Sequence, residues 1–389
     1  MEIDYSTAIV FASSEDMAMR WFLGILVLSC CGHAATVTAQ DAVAERPHDV
    51  GWLSEVTTAP QSPLLENPGT LHPILQRSDG SEVFSLEGWT GLRASIREQW
   101  MTFLGPMPEF SESSFQVLKE TQENGFARQL IQYQSEPGQF VQAYLLIPDS
   151  GAGSGKSKLP GIVALHQTTD ASIDEIAGVS GRDAMQMGRK LAQEGYVVIC
   201  PRCFLWQDVS SLNEAVAKHR QRHPNTTGMA KMLHDAKRAT DVLAGLKNVD
   251  SNRIGAIGHS LGAKEVLYLA AFDERIKAAV SSEGGLGYRT TNWDAPWYLG
   301  EAIRDPEFPL NHHQLLALIA PRPFLIVGGE SGPGAADGDR SWVIMNSALP
   351  AWNLYPGPVR LGLLNHHLGH SVPEEVFEKI SEWLRVYLD

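Results

Sequence analysis

Between the short apolar run Arg253-Ile254-Gly255-Ala256-Ile257-Gly258 and the Ala- and Leu-rich run from Ala263 to Phe272, the chain reads Gly258-His259-Ser260-Leu261-Gly262. A Gly-x-Ser-x-Gly pentapeptide at a strand-to-helix junction is the pattern of a nucleophile elbow. Small residues two positions either side of the serine allow a strained turn without a Cβ clash, and the following helix directs its positive end at the hydroxyl. A chain built this way needs a buried strand, a sharp turn and a covering helix in immediate succession.

The surrounding sequence supplies that context. Extended segments are expected at Phe115 to Glu120, Ala127 to Tyr133 and Phe140 to Ile147, the opening antiparallel strands of a larger sheet. After a Gly/Ser/Lys loop, Gly151 to Lys158, strands are expected at Gly161 to Leu165 and Tyr196 to Cys200, then at the elbow, Ile276 to Ser282, Pro323 to Val327 and Val359 to Leu364. Helices are expected at Met185 to Glu194, Met229 to Leu246 and Glu374 to Leu388. Such alternation predicts an α/β fold, a mostly parallel central sheet flanked by helices. Before it, Leu92, Ile96, Trp100 and Phe103 mark one face of a helix from Leu86 to Leu104, part of an N-terminal helical and antiparallel extension.

At the amino end, Arg20 precedes the apolar run Trp21 to Leu28, too short for a membrane span, and Val37-Thr38-Ala39 offers a cleavage site. Residues 1–39 therefore read as an export signal, with translation starting at Met17 or Met19, and a periplasmic or extracellular protein is expected. Val27-Leu28-Ser29-Cys30 also fits a lipoprotein box that would anchor the chain through Cys30. Residues 40–105 read as a linker and helical arm, and 106–389 as the catalytic domain. A net charge of −14 argues against nucleic-acid or anionic-membrane partners, which require clustered Lys and Arg. Cys200 and Cys203 are too few for a structural zinc site, and a local disulfide or two unpaired thiols is expected.

A serine hydroxyl needs an imidazole to take its proton and an acid to hold that imidazole. His370 is the candidate base, in His366-His367-Leu368-Gly369-His370 after the last strand, with His366 and His367 as exposed loop residues. Two acids remain open. Asp337 lies in the long loop Gly328 to Arg340, and Glu283 ends the strand Ile276 to Ser282; both loops open at the carboxyl edge of the sheet. The oxyanion donors are expected to be the amides of Leu261 and of Gln167 or Thr168, with His166 packed beneath that turn. Trp206, Trp293, Trp297 and Tyr298 fall in segments expected at the rim, where flat faces stack on sugar rings. Asp208 to His223 is read as a mobile cap segment.

Taken together, these motifs resemble the α/β-hydrolase superfamily, in particular exported bacterial esterases of the dienelactone-hydrolase-like and acetyl-xylan-esterase-like kinds. The chain is also similar to the glucuronoyl esterases of carbohydrate esterase family 15. Lys264 after the elbow, Glu283 closing the next strand, Asn292-Trp293 and His312-His313-Gln314-Leu315-Leu316-Ala317-Leu318-Ile319-Ala320-Pro321-Arg322-Pro323 carry that likeness. Glucuronoyl esterases have arginine directly after the nucleophile, whereas this chain has Leu261; dienelactone hydrolases proper use cysteine, and this chain has Ser260. The resemblance implies a serine carboxylic-ester hydrolase needing no cofactor or metal and acting on a small or polysaccharide ester, acetyl or uronic methyl. Rival readings are a prolyl-oligopeptidase-like serine peptidase and a catalytically silent carbohydrate-binding protein of the same fold.

Overall fold

A computed structural model describes residues 49–61, 68–110, 113–149 and 158–388. The expected signal, its start codons, Cys30 and most of the Gly151 to Lys158 loop lie outside the described residues. Nine strands form one sheet: β1 (Phe115–Gln122), β2 (Phe126–Glu136), β3 (Gln139–Pro148), β4 (Leu159–Leu165), β5 (Val197–Pro201), β6 (Val249–His259), β7 (Ile276–Ser282), β8 (Phe324–Gly328) and β9 (Leu361–Asn365). Their spatial order is β1-β2-β3-β5-β4-β6-β7-β8-β9. The first three run antiparallel and β3 joins β5 antiparallel, while β5, β4 and β6 through β9 are parallel.

The parallel strands are short apolar runs because both of their faces are covered. Side chains along β4 alternate between two cores. Val163 and Leu165 face the helices Leu86–Leu104, Gly228–Ala244, Leu261–Phe272 and His312–Ile319. Ile162 and Ala164 face the opposite layer, containing Met187, Leu191, Ile380 and Trp383 from the helices Met187–Gln193 and Glu374–Leu388. All the parallel strands end at one edge, so the β4, β5, β6, β7, β8 and β9 loops converge there.

The helix Leu86–Leu104 follows from its spacing. Ser85 accepts from the Gly88 amide at its start, and Gly105, at φ 89°, ends it. Trp89, Leu92, Ile96 and Trp100 are buried on its inner face. Arg97 donates to the carbonyls of Ala271 and Phe272 and Arg322 to that of Ala270, so two cations sit on the carboxyl end of Leu261–Phe272. The arm clamps the helix that follows the elbow.

Three sequence expectations need correction. Part of the linker is docked: Val50, Trp52 and Val56 are buried, and Trp52 stacks on Trp383 at 5.8 Å while its Nε1 donates to Glu382. The expected mobile cap holds the helix Leu212–Arg222, anchored by buried Ala215, Val216 and His219, and the following His223 lies 2.6 Å from Glu136. Cys200 and Cys203 are both free and buried, so the disulfide alternative falls. Among the described residues no helix is long and apolar enough to cross a membrane.

Candidate active site

β6 ends at His259 and the next helix begins at Leu261, leaving Ser260 alone at the junction with φ 57° and ψ −112°. Few non-glycine residues adopt such a backbone, and it persists only where the surroundings enforce it. Here the Ser260 amide donates to Ser282 O at 2.8 Å and its carbonyl accepts from the Lys264 amide. A Cβ at Gly258 would fall on the backbone of Gly262, and a Cβ at Gly262 would fall on Leu165 O. Both glycines are therefore required by close approach. The same approach brings the Leu261 amide beside the loop leaving β4, which carries His166 and Gln167.

That loop is tightly held. His166 is buried, its Nδ1 donating to Gln167 O at 2.8 Å and its Nε2 accepting from the Cys203 amide at 3.1 Å. Burial pushes its pKa down to about 4, so the ring is neutral with its proton on Nδ1. The Gln167 side chain donates to Glu175, which also accepts from the Arg182 amide and Nε. His166 thus packs beneath the turn as expected.

Glu283 and Asp337 are both buried, and the fold gives them different surroundings. Glu283, at φ 58°, closes β7; Oε1 accepts from the Gly329 amide at 2.7 Å and Oε2 from the Ala336 amide at 2.9 Å. The same carboxylate faces two imidazoles, His366 Nε2 at 3.3 Å from Oε1 and His370 Nδ1 at 3.8 Å from Oε2. Burial raises its pKa, but His366, His370 and the two amides outweigh that and hold it at about 2. Asp337 instead accepts from the amides of Gly285 and Leu286 and from the Ser341 hydroxyl. Burial raises its pKa, and neighbouring Glu283 adds to the rise. The structure brings Glu283 to His370 and leaves Asp337 buttressing the loop behind Glu283.

His370 is the more open of the two imidazoles, with 29% of its side chain exposed against 4% for His366. His366 Nδ1 accepts from the Leu368 amide while Nε2, 3.3 Å from Glu283 Oε1, is buried without a hydrogen bond, so the ring is not the exposed residue expected. His367 is exposed and faces Glu330. His370 turns Nδ1 toward Glu283 and its other ring nitrogen away from it. Its ring centroid lies 4.6 Å from that of His259, next to Ser260 in the chain. At 3.8 Å, His370 Nδ1 and Glu283 Oε2 are an ion-pair contact and not a hydrogen bond. His259 carries no expected role; burial and then His370 push its pKa down to about 3, making it a neutral wall for the His370 ring.

The three tryptophans divide. Trp206 is half-buried with its ring edge-on to His166, 5.1 Å between centroids, beside the loop that carries Gln167. Trp297 is half-buried against Tyr298. Trp293 does not lie at the rim: it is buried, donates to Gly285 O at 2.6 Å and lies under the Lys264 ammonium at 4.0 Å. Lys264 is buried too, donating to Gly284 O and Thr291 Oγ1. Burial pushes its pKa down to about 7. Lys264 and Trp293 thus tie down the loop that follows Glu283. Among the described residues no group of His, Cys, Asp or Glu is arranged to hold a metal ion.

Comparison with known proteins supports the fold. Residues 141–318 match the Dienelactone hydrolase family, and the chain has the α/β-hydrolase fold. Cutinase 1 of Thermobifida cellulosilytica is 23% identical over 247 residues, covering 62% of this chain and 75% of the cutinase. A glucuronoyl esterase from Solibacter usitatus superposes with a TM-score of 0.65 at 20% identity, over 82% of this chain and 97% of that one. A carbohydrate esterase family 15 glucuronoyl esterase from Caldicellulosiruptor kristjansonii gives 0.60 at 20% identity, over 81% and 89%. At these identities the structural likenesses establish the fold.

Proposed function

We propose that this protein is a serine carboxylic-ester hydrolase acting through an acyl-enzyme on esterified polysaccharide, at acetyl or uronic methyl esters. The observation that carries the reading is Ser260 at a strained strand–helix junction, next in the chain to His259, whose ring lies 4.6 Å from that of His370, whose Nδ1 in turn faces the ionised Glu283. Ser260 Oγ attacks the acyl carbon while His370 Nε2 takes its proton, and Glu283 stabilises the resulting imidazolium. The amides of Leu261 and Gln167 donate to the oxyanion. The imidazolium then protonates the departing alcohol, and water deprotonated by His370 releases the acid. Asp337 supports Glu283 from behind. Trp206 and Trp297 provide aromatic surface for a sugar ring. The glucuronoyl esterase likenesses favour a carbohydrate ester, and the small −14 net-charge preference against polyanionic partners agrees with no nucleic-acid role. Export, soluble or anchored through Cys30, is part of the same reading and rests on Arg20 to Leu28 and Val37-Thr38-Ala39.

The test is release of acetate from acetylated xylan and of methanol from methyl glucuronate by wild type and Ser260→Ala. Release that disappears in the variant is expected. Equal release by both proteins, or none from any ester by folded wild type, would overturn the reading.

A further inference from the structure

The charge of Arg182 is only partly used. Its amide and Nε both donate to Glu175 Oε1, at 2.9 and 3.1 Å, which fixes the base of the guanidinium. The Glu175 side chain is 3% exposed, whereas that of Arg182 is 64% exposed. Nη1 and Nη2 take no partner among the described residues. The nearest acid in sequence, Asp183, is already paired with Arg189 and Lys190.

The position of this group follows from Glu175. Its other oxygen, Oε2, accepts from the Gln167 side chain, so one buried carboxylate ties Arg182 to the loop offered as oxyanion donor. A Cβ at Gly181 would collide with the Glu175 side chain, so the backbone before Arg182 presses directly on that carboxylate. Gln167 lies beyond Leu165, whose carbonyl meets Gly262 of the elbow. The charge of Arg182 is also felt at His259, the residue before Ser260. A guanidinium with two spare donors, held by a buried anion at the edge of a nucleophile site, is set up to receive a planar anion from solvent.

We propose that Arg182 is a substrate-binding residue that receives a free carboxylate of the ester through Nη1 and Nη2, giving the site a preference for esters that carry an acidic group near the scissile bond. This rests on the serine esterase reading and narrows it to esters of acidic saccharides or of dicarboxylic acids. Glu175 is then a positioning residue, holding Arg182 and Gln167 at once.

The experiment compares kcat/KM for matched ester pairs that differ only in charge. On the acyl side the pair is 4-nitrophenyl hydrogen adipate and its methyl ester. On the alcohol side it is 4-carboxyphenyl acetate and its methyl ester, with phenol release followed. Wild type is expected to favour the charged member of at least one pair by roughly tenfold at low salt, the preference shrinking as ionic strength rises. Arg182→Gln is expected to bring the ratio of kcat/KM for charged over neutral esters to about one, while the neutral esters also slow because buried Glu175 loses its Nε donor. Arg182→Lys, which keeps the charge but loses the fork, is expected to restore only part of it. Absence of preference in wild type would overturn the proposal, as would equal losses on charged and neutral esters in Arg182→Gln, which would make Arg182 a brace for Glu175 alone. Failure of wild type to hydrolyse any of the four esters would instead count against the esterase reading itself.

Discussion

Replacing Glu283 by Gln keeps the size of the side chain and removes its charge. In the structure the carboxylate lies 3.8 Å from His370 Nδ1 and is ionised, its pKa held at about 2. Two unit charges about 4 Å apart interact by about 4 kcal/mol at an effective dielectric of ~20, close to a thousandfold in rate if lost only from the transition state. His370 is partly exposed, and solvent screens some of that. A fall in kcat of between roughly 10² and 10³ is therefore expected for Glu283→Gln, with KM little changed. The assay is hydrolysis of 4-nitrophenyl acetate, with near-UV circular dichroism confirming the fold. Asp337→Asn should behave differently, because Asp337 accepts from the loop amides of Gly285 and Leu286 and, among the described residues, pairs with no imidazole. It should lower the thermal midpoint and reduce kcat less. Activity of Glu283→Gln within tenfold of wild type, with a larger loss in Asp337→Asn, would refute the assignment of the acid.

Other perturbations separate structural from chemical roles. Gly262→Ala should abolish activity or soluble expression, since its Cβ would fall on Leu165 O; an active variant would mean the elbow is not as tight as drawn. Trp293→Ala should lose about 3–5 kcal/mol of stability, as for other buried aromatics, measured by urea unfolding. Trp206→Ala should chiefly raise KM for a saccharide ester, and an unchanged KM would remove Trp206 from the substrate surface. His166, His259 and His312 have folded pKa values pushed by burial to about 4, 3 and 3, below the ordinary 6.5. The unfolded chain therefore binds more protons in that window, so their contribution is present above pH ~6.5 and is lost as pH falls toward ~3. Thermal midpoints should drop steadily across that range, and a flat profile would contradict their neutral burial.

The fold was readable wherever the pattern was local. Leu86–Leu104 carries a clean one-sided spacing and a Ser85 cap, and the parallel strands are apolar runs bounded by turns. The helices His312–Ile319 and Trp342–Trp352 escaped notice for physical reasons. The first is buried all round and so has no polar face to set a period, and the second holds Pro350. The candidate site was marked in the sequence at Ser260 and His370, where turn chemistry and chain order act within a few residues, and their catalytic roles stand as proposals. It was not legible at the acid, because Glu283 and Asp337 end neighbouring loops at the same sheet edge. Only the tertiary placement of the Gly329 and Ala336 amides, against those of Gly285 and Leu286, separates them. Trp293 misled for the same reason: nothing local marks its ring as the face beneath buried Lys264. The Gln167–Glu175–Arg182 chain joins residues whose side chains meet only after the loop closes on itself.

The most direct measurement is covalent labelling with a fluorophosphonate, followed by peptide mass spectrometry and run beside 4-nitrophenyl acetate turnover. An activated serine at the elbow predicts one adduct, on the peptide containing Ser260, with labelling and turnover both lost in Ser260→Ala and labelling slowed in Glu283→Gln. An adduct elsewhere, or a folded wild type that neither labels nor turns over, would contradict it.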